Sequence, residues 1–213
     1  VIYTGDHGRA FPYSKTTLYD GGLNVPFVAR WPGKLRPGSK IDAMIHFIDL
    51  TPTFLELAGV TVPKGIQGRS FASVLRGEAK KHRGVVFGSH TTHFFSPSCP
   101  SRSIRNDRYH YIYNLASANE FRSDSFAGIT FGAMQREARR DPKLAARLHA
   151  LKYRPREELY DVQSDPFEMK NLVGNHEFEE ARKKMQARLS SFMKDINDPW
   201  LKVLLEQTRA GSE

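Results

Sequence analysis

A carboxylate and an imidazole stand side by side at Asp6-His7, followed by Gly8, directly after the apolar run Val1-Ile2-Tyr3-Thr4. A β-branched and aromatic tetrapeptide of this kind reads as a buried parallel strand ending in a polar turn. Open α/β sheets place ligands at the carboxyl ends of such strands. A carboxylate beside a second donor can hold a cation there, and Gly8 lets the backbone turn sharply. Taken alone, the triplet fits a capped turn better than half a metal site. Further on, His90 and His93 precede Ser98-Cys99-Pro100-Ser101-Arg102 in a loop rich in Ser, Thr and Phe. A single histidine in such a loop is as readily a surface or packed group as a functional one. Arg102 can bind a substrate or pair with an acidic neighbour, and the pair is the favoured reading.

The elements that must position these residues fall into two stretches. Residues 1–80 read as the end of an α/β domain: the first strand, a second apolar run at Val25-Pro26-Phe27-Val28-Ala29-Arg30, the turn Trp31-Pro32-Gly33, and a helix through Leu55 and Leu57. Asp49-Leu50-Thr51-Pro52-Thr53 supplies cap candidates for that helix and Gly59 stops it. Residues 81–213 read as an antiparallel subdomain with helices. Short strands at Val85-Val86-Phe87, Arg102 to Arg105, Tyr109 to Tyr113 and Glu158 to Asp161 suggest a meander, with Asn106-Asp107 as one turn. Two helices accompany it, one opened by Asp141-Pro142 with Leu144, Ala145, Leu148 and Leu151 on one face. The other starts near Asn175 and carries Phe178, Ala181, Met185, Leu189, Phe192 and Ile196 at spacings of three and four.

Composition narrows the function classes. The chain has 213 residues, 39% of them hydrophobic, enough for one core and a small satellite domain. No apolar run approaches the roughly 18 residues of a membrane span, so no membrane partner is expected. Lys and Arg outnumber Asp and Glu by 32 to 23, a balance that favours acidic partners. Nucleic acid is set aside, because zinc-finger spacing, RNP-like aromatics and an unbroken basic run are all missing. The basic residues between Arg136 and Arg156 lie mostly off the apolar stripe and read as a solvated face. The single Cys99 leaves the redox compartment open. The opening tetrapeptide looks like the middle of a domain, so a fragment or processed product is expected, with strand edges that favour self-association or a missing partner.

The downstream context changes the odds on the Asp-His-Gly triplet. It is followed in order by Lys15, by Thr17-Leu18-Tyr19-Asp20-Gly21-Gly22-Leu23-Asn24-Val25-Pro26-Phe27, by Arg30-Trp31-Pro32-Gly33, by Asp49 to Thr53 and by Leu57-Ala58-Gly59-Val60. Near the end come Glu158-Leu159-Tyr160-Asp161-Val162 and Asp165-Pro166-Phe167-Glu168-Met169-Lys170-Asn171-Leu172. This ordered set resembles the sulfatase family of the alkaline phosphatase-like superfamily, over residues 1 to about 200. Within the family, Phe87-Gly88-Ser89-His90, His93, Ser98 to Ser103 and Asp198-Pro199-Trp200 look most like sulfamidases, which remove the N-sulfate of glucosamine in heparan sulfate.

The resemblance implies a fold and a set of roles. The fold would be α/β, with the last elements of a large mixed sheet and a small antiparallel sheet packed with a C-terminal helix. Asp6 and His7 would complete a calcium site whose other ligands, a carboxylate pair and a formylglycine nucleophile made from Cys or Ser, come from the missing N-terminal part of the enzyme. Lys15 would set an ammonium against the sulfate, and His93, with His90 a lesser candidate, would reach the pocket of a sulfated aminosugar or glycan. Two positions depart from the sulfamidase pattern. Asn is usual where His7 stands, which leaves the metal's identity open, and Arg is common where Lys15 stands. Ser98-Cys99-Pro100-Ser101-Arg102 satisfies the family's Ser/Cys-x-Pro-x-Arg nucleophile pattern, yet it follows the triplet and leads into a strand, so it reads as a decoy. Without the nucleophile the chain by itself is expected to be inactive. The alternatives are another sulfatase or a phosphonate monoester hydrolase of the superfamily, and a noncatalytic module that binds acidic glycans.

Overall fold

The computed structural model describes residues 1–93 and 98–210. Its elements run in the order β1 (Ile2–Thr4), α1 (Asp20–Leu23), β2 (Phe27–Ala29), α2 (Leu50–Leu57), α3 (Ala72–Leu75), β3 (Val86–His90), β4 (Ser101–Arg105), β5 (Tyr109–Asn114), α4 (Ile129–Glu137), α5 (Pro142–Lys152), β6 (Glu157–Asp161), α6 (Glu179–Asp195) and α7 (Leu201–Ala210). They divide into two compact units, Val1–Thr4 with Pro26–Val86 and Gly5–Val25 with Phe87–Glu213. Among the described residues no helix is long and apolar enough to cross a membrane.

In the first unit β1 pairs with β2 antiparallel, Tyr3 opposite Val28. Both side chains are exposed, at 70% and 59%, so within this chain β1 is not the buried parallel strand its composition suggests. The apolar centre lies at Phe71, Ala72 and Val74, and Phe27 meets Phe71 edge to face at 5.8 Å. Asp49 differs from its expected role. It does not cap α2, and its carboxylate instead accepts from the N–H groups of His46 and Arg69 and from the Arg83 guanidinium. Burial pushes this carboxyl up, but those hydrogen bonds prevail and hold it well below the usual range. Gly59, at a φ of +72°, follows the end of α2 as expected.

The second unit is built on a four-stranded sheet in the order β3-β4-β5-β6, with β4, β5 and β6 antiparallel. The sequence explains its local joints. The Asn106 side-chain oxygen accepts from the N–H groups of Arg108 and Tyr109 at 2.8 and 2.6 Å, closing the β4–β5 turn. Asp141 accepts from Lys143 and Leu144, with Pro142 in the first turn of α5. Asn175 caps a one-turn 3-10 helix, His176–Phe178, that runs into α6.

Strand alternation sorts the sheet into two faces. Ile104, Tyr111, Tyr113 and Leu159 share the face that α6 packs against, where Met185, Leu189 and Met193 are buried. On the opposite face Ile112 and Tyr160 join Leu18, Tyr19, Phe131, Leu148 and Leu151 in a second apolar cluster. That second cluster seats the segment carrying Asp6, His7 and Lys15, because Leu18 and Tyr19 of residues 5–25 are buried in it and Tyr13 packs against it.

Candidate functional site

Residues 5–25 form a loop folded back on itself. The Gly8 N–H donates to the Gly22 carbonyl at 3.0 Å. A Cβ on Gly8 would sit 2.0 Å from the Gly21 oxygen, and one on Gly22 would sit 2.5 Å from the carbonyl oxygens of Ser14 and Thr17. Only glycine permits these two strands of backbone to touch. Ser14 closes the same knot by donating its hydroxyl to the Gly21 carbonyl, and Thr17 donates to the Ser14 carbonyl at 2.7 Å.

Asp6 and His7 project from this knot, 88% and 45% exposed as side chains. His7 Nδ1 lies 2.7 Å from the Gly8 carbonyl oxygen. A carbonyl only accepts, so Nδ1 is the donor in this contact and Nε2 is the nitrogen that faces outward. Nε2 lies 3.5 Å from Asp6 Oδ2. The two side chains therefore offer one nitrogen and one carboxylate to a common point. Among the described residues no group of three or more His, Cys, Asp or Glu side chains converges in a way that would hold a metal ion.

Lys15 sits between two residues in the left-handed region, Tyr13 at φ +61° and Thr16 at φ +68°. Non-glycine residues hold such angles only when their surroundings fix them. Here the Lys15 N–H donates to the Arg9 carbonyl at 3.0 Å. The Tyr13 hydroxyl donates to the Arg147 carbonyl, and the Arg147 guanidinium lies 4.2 Å from the Tyr13 ring centre. Thr16 donates to Ser123 Oγ at 2.9 Å. The residue after Ser123 is Asp124, whose carboxylate lies 3.6 Å from His93 Nδ1. The loop carrying Lys15 and the loop carrying His93 thus meet at Ser123-Asp124.

His90 points elsewhere. Its Nδ1 lies 3.5 Å from the Cys99 carbonyl, its ring meets Phe121 edge to face, and its buried Nε2 has no hydrogen-bond partner among the described residues. Burial, aided by the nearby cations Arg154, His93 and Arg102, moves its pKa below the usual value despite the opposing pull of the Cys99 carbonyl. Part of the loop after His93, residues 94–97, lies outside the described residues.

Cys99 is buried and burial pushes its thiol up, the reverse of an activated nucleophile. It leads into β4, as the decoy reading expects. Arg102 forms a two-pronged pair with Asp198, with Nε donating at 2.6 Å and the second nitrogen at 3.1 Å. The Asp198-Pro199-Trp200 motif therefore has an assigned partner.

Tyr19, His110, Glu158 and Glu168, to which sequence reasoning assigned no site role, are all buried. Glu158 accepts from the hydroxyls of Tyr19 and Tyr160 at 2.8 and 2.6 Å and from the Asn114 amide at 2.7 Å. Glu168 lies 2.5 Å from His110 Nδ1 and accepts the Asp20 N–H at 2.8 Å. Tyr160, two positions on and so on the same face of β6, was the signal that could have turned Glu158 inward.

A family model described as N-sulphoglucosamine sulphohydrolase, C-terminal, matches residues 5–123. An ulvan-active sulfatase of Formosa agariphila is 38% identical over 199 residues, covering 92% of this chain and 38% of that protein. The human N-sulphoglucosamine sulphohydrolase is 30% identical over 215 residues, covering 94% of this chain and 42% of that protein. A solved structure of a 2-O GAG sulfatase superposes with a TM-score of 0.63 at 26% identity, covering 86% of this chain and 32% of its own. The chain spans about two fifths of the length of these two curated relatives.

Proposed function

We propose, for a chain that belongs to the sulfatase family and carries its N-sulphoglucosamine sulphohydrolase type of C-terminal region, that the full-length protein releases sulfate from a sulfated glycan. The observation that carries this reading is the paired donor set of Asp6 and His7, with the imidazole held by its Nδ1 proton so that Nε2 lies beside the carboxylate. Such a pair fits a divalent cation, and the nitrogen donor suits a borderline ion at least as well as calcium. The remaining ligands, a carboxylate pair and a formylglycine nucleophile on the family pattern, would come from sequence outside this chain. A bound cation supplies charge neutralisation at a sulfate oxygen and activation of the nucleophile.

The chain's own residues supply the rest. Lys15 offsets the negative charge that gathers on sulfate during transfer, its backbone fixed by the flanking left-handed residues. His93, oriented by Asp124, offers a hydrogen-bond donor to the sugar or sulfate. His90, buried against Phe121, acts as packing for that loop and not as a substrate contact.

For the finer specificity we favour the N-sulfate of glucosamine in heparan-type glycans, supported by the matching family model and by the human relative. A second reading, an O-sulfated polysaccharide, is supported by the 38% identity to the ulvan-active enzyme. Sulfate release by the full-length protein from N-sulfated glucosamine, O-sulfated glucosamine and ulvan oligosaccharides separates the two. Lys15→Ala is expected to lower kcat by on the order of 10²- to 10³-fold, and Asp6→Ala and His7→Ala to remove cation-dependent turnover. Full activity in the Asp6→Ala, His7→Ala double variant would overturn the reading.

A further inference from the structure

We infer that Glu168 is a positioning residue for the loop that presents Asp6, His7 and Lys15, and that this is what the Asp-Pro-Phe-Glu segment contributes; the inference rests on the proposed function of that loop. Both carboxylate oxygens are committed. Oε1 lies 2.5 Å from His110 Nδ1 on β5, and Oε2 accepts the Asp20 N–H at 2.8 Å. Glu168 therefore bridges a strand of the sheet to the residue that opens α1. The same turn carries Gly22, whose carbonyl receives the Gly8 N–H, and Gly8 is the residue after His7. Three links thus run from the sheet to the candidate ligands: His110 to Glu168, Glu168 to Asp20, and Gly22 to Gly8.

Several features mark this bridge as built. Glu168 and His110 are buried, and a carboxylate is rarely placed there without partners for both oxygens. Glu168 holds a φ of +53°, a left-handed angle that a non-glycine residue keeps only when its contacts fix it. Asp20 is tied a second time, through an ion pair of its side chain with Arg105 on β4. Its neighbour Tyr19 is tied to Glu158 of β6. Strand β4 thereby holds Asp20 through Arg105, β6 holds Tyr19 through Glu158 and β5 holds Asp20 by way of Glu168, while Asp6 and His7 themselves stay exposed. Outer partners of this kind set the orientation of groups that bind ligand without touching it.

The test compares Glu168→Ala with Leu189→Ala in the full-length protein. Leu189 lies on α6, against the other face of the sheet, and its truncation removes packing alone. Both variants are read well below their unfolding midpoints. Glu168→Ala is expected to weaken calcium binding, followed by calorimetry, and to lower kcat, each by roughly 10- to 100-fold, with KM changed much less. Leu189→Ala is expected to leave both within about twofold although it lowers the unfolding midpoint. Hydrogen exchange supplies an arm independent of activity: amides in residues 5–25 should lose protection in Glu168→Ala and keep it in Leu189→Ala. If Glu168→Ala does not fold, Glu168→Gln, which retains an oxygen for the Asp20 N–H, should show a smaller shift in the same direction. Unchanged exchange in residues 5–25 for a folded Glu168 variant overturns the inference. Failure of the wild type to bind any divalent cation or to release sulfate would instead remove the proposed function, and the exchange arm would then decide the positioning role alone.

Discussion

On one face of the four-stranded sheet Ile104, Tyr111, Tyr113 and Leu159 lie under α6, with Met185, Leu189 and Met193 buried there. On the other face, His110, Asn114 and Glu158 are just as deeply buried, yet they serve hydrogen bonds to named atoms: Glu158 accepts from Tyr19 and from Asn114, and His110 pairs with Glu168, which accepts the Asp20 N–H. The difference is one of directionality. Apolar burial stabilises in proportion to area and tolerates small shifts, whereas a buried carboxylate is satisfied in few geometries and leaves its partners stranded in all others. The α6 face therefore contributes mainly stability. The opposite face adds placement to its own apolar burial, through Glu158 on Tyr19 and Glu168 on Asp20.

That contrast is broken most directly at Gly8. In Gly8→Ala the added methyl would meet the Gly21 oxygen at 2.0 Å, so the loop must move while α6 and its contacts stay as they are. A displacement of about 1 Å at the donors is expected to lower kcat by on the order of 10²-fold, with the m-value of urea unfolding retained. Wild-type kcat in Gly8→Ala would show that the knot does not place the donors. The converse is Met193→Ala, which removes a fully buried side chain from the α6 face. It is expected to cost about 2–5 kcal/mol of unfolding free energy, while cation affinity per folded molecule is unchanged.

A finer probe is Glu158→Gln, which keeps the shape and removes one acceptor. Three donors now converge on this carboxylate, the Tyr19 and Tyr160 hydroxyls on one oxygen and the Asn114 amide on the other. Burial first, then the charge of Glu158, pushes both hydroxyls far above their usual values, so they remain donors. An amide nitrogen must face a donor on one side, at an expected cost of about 1–3 kcal/mol. Because Tyr19 anchors the loop, kcat should fall as well, which Met193→Ala at equal stability loss should not reproduce.

How much of this was legible in the residues depended on sequence distance. The β3–β6 meander, α5 and α6 follow from patterns two to four residues long, and Asn106, Asp141 and Asn175 act within three residues of themselves. Asp6, His7 and Lys15 are candidates because the ordered motifs that follow them, Gly21-Gly22 among them, resemble a family. Asp49, one of the cap candidates, holds the N-cap position of α2 without a side-chain cap, because its carboxylate is taken in part by Arg69 and Arg83, 20 and 34 positions away. The buried glutamates escaped for the same reason: Glu158 meets Tyr19 across 139 positions and Glu168 meets Asp20 across 148. A glutamate bound for the interior looks, residue by residue, like one bound for solvent. The pairing of β1 with β2 likewise could not be read from the apolar run Val1 to Thr4, since composition suggests burial and does not specify a partner.

The smallest expected effect concerns Arg102 and Asp198, a charged pair on the α6 face. Burial raises the Asp198 carboxyl, but hydrogen bonds from Arg102 and the Trp200 N–H outweigh it and hold the group below its ordinary 3.8. A depressed folded-state pKa means that ionised Asp198 adds stability in full above 3.8 and loses it as the pH falls through the lower folded value. Asp198→Asn keeps the shape without the charge, so it should cost about 1 kcal/mol near neutrality. The gap between wild type and variant should narrow on acidification, because only the wild type then loses an ion. Urea midpoints of both proteins, measured from neutral pH down through 3.8, give the comparison. A gap that stays constant into acid would mean that the pair contributes through shape, like its apolar neighbours, and not through charge.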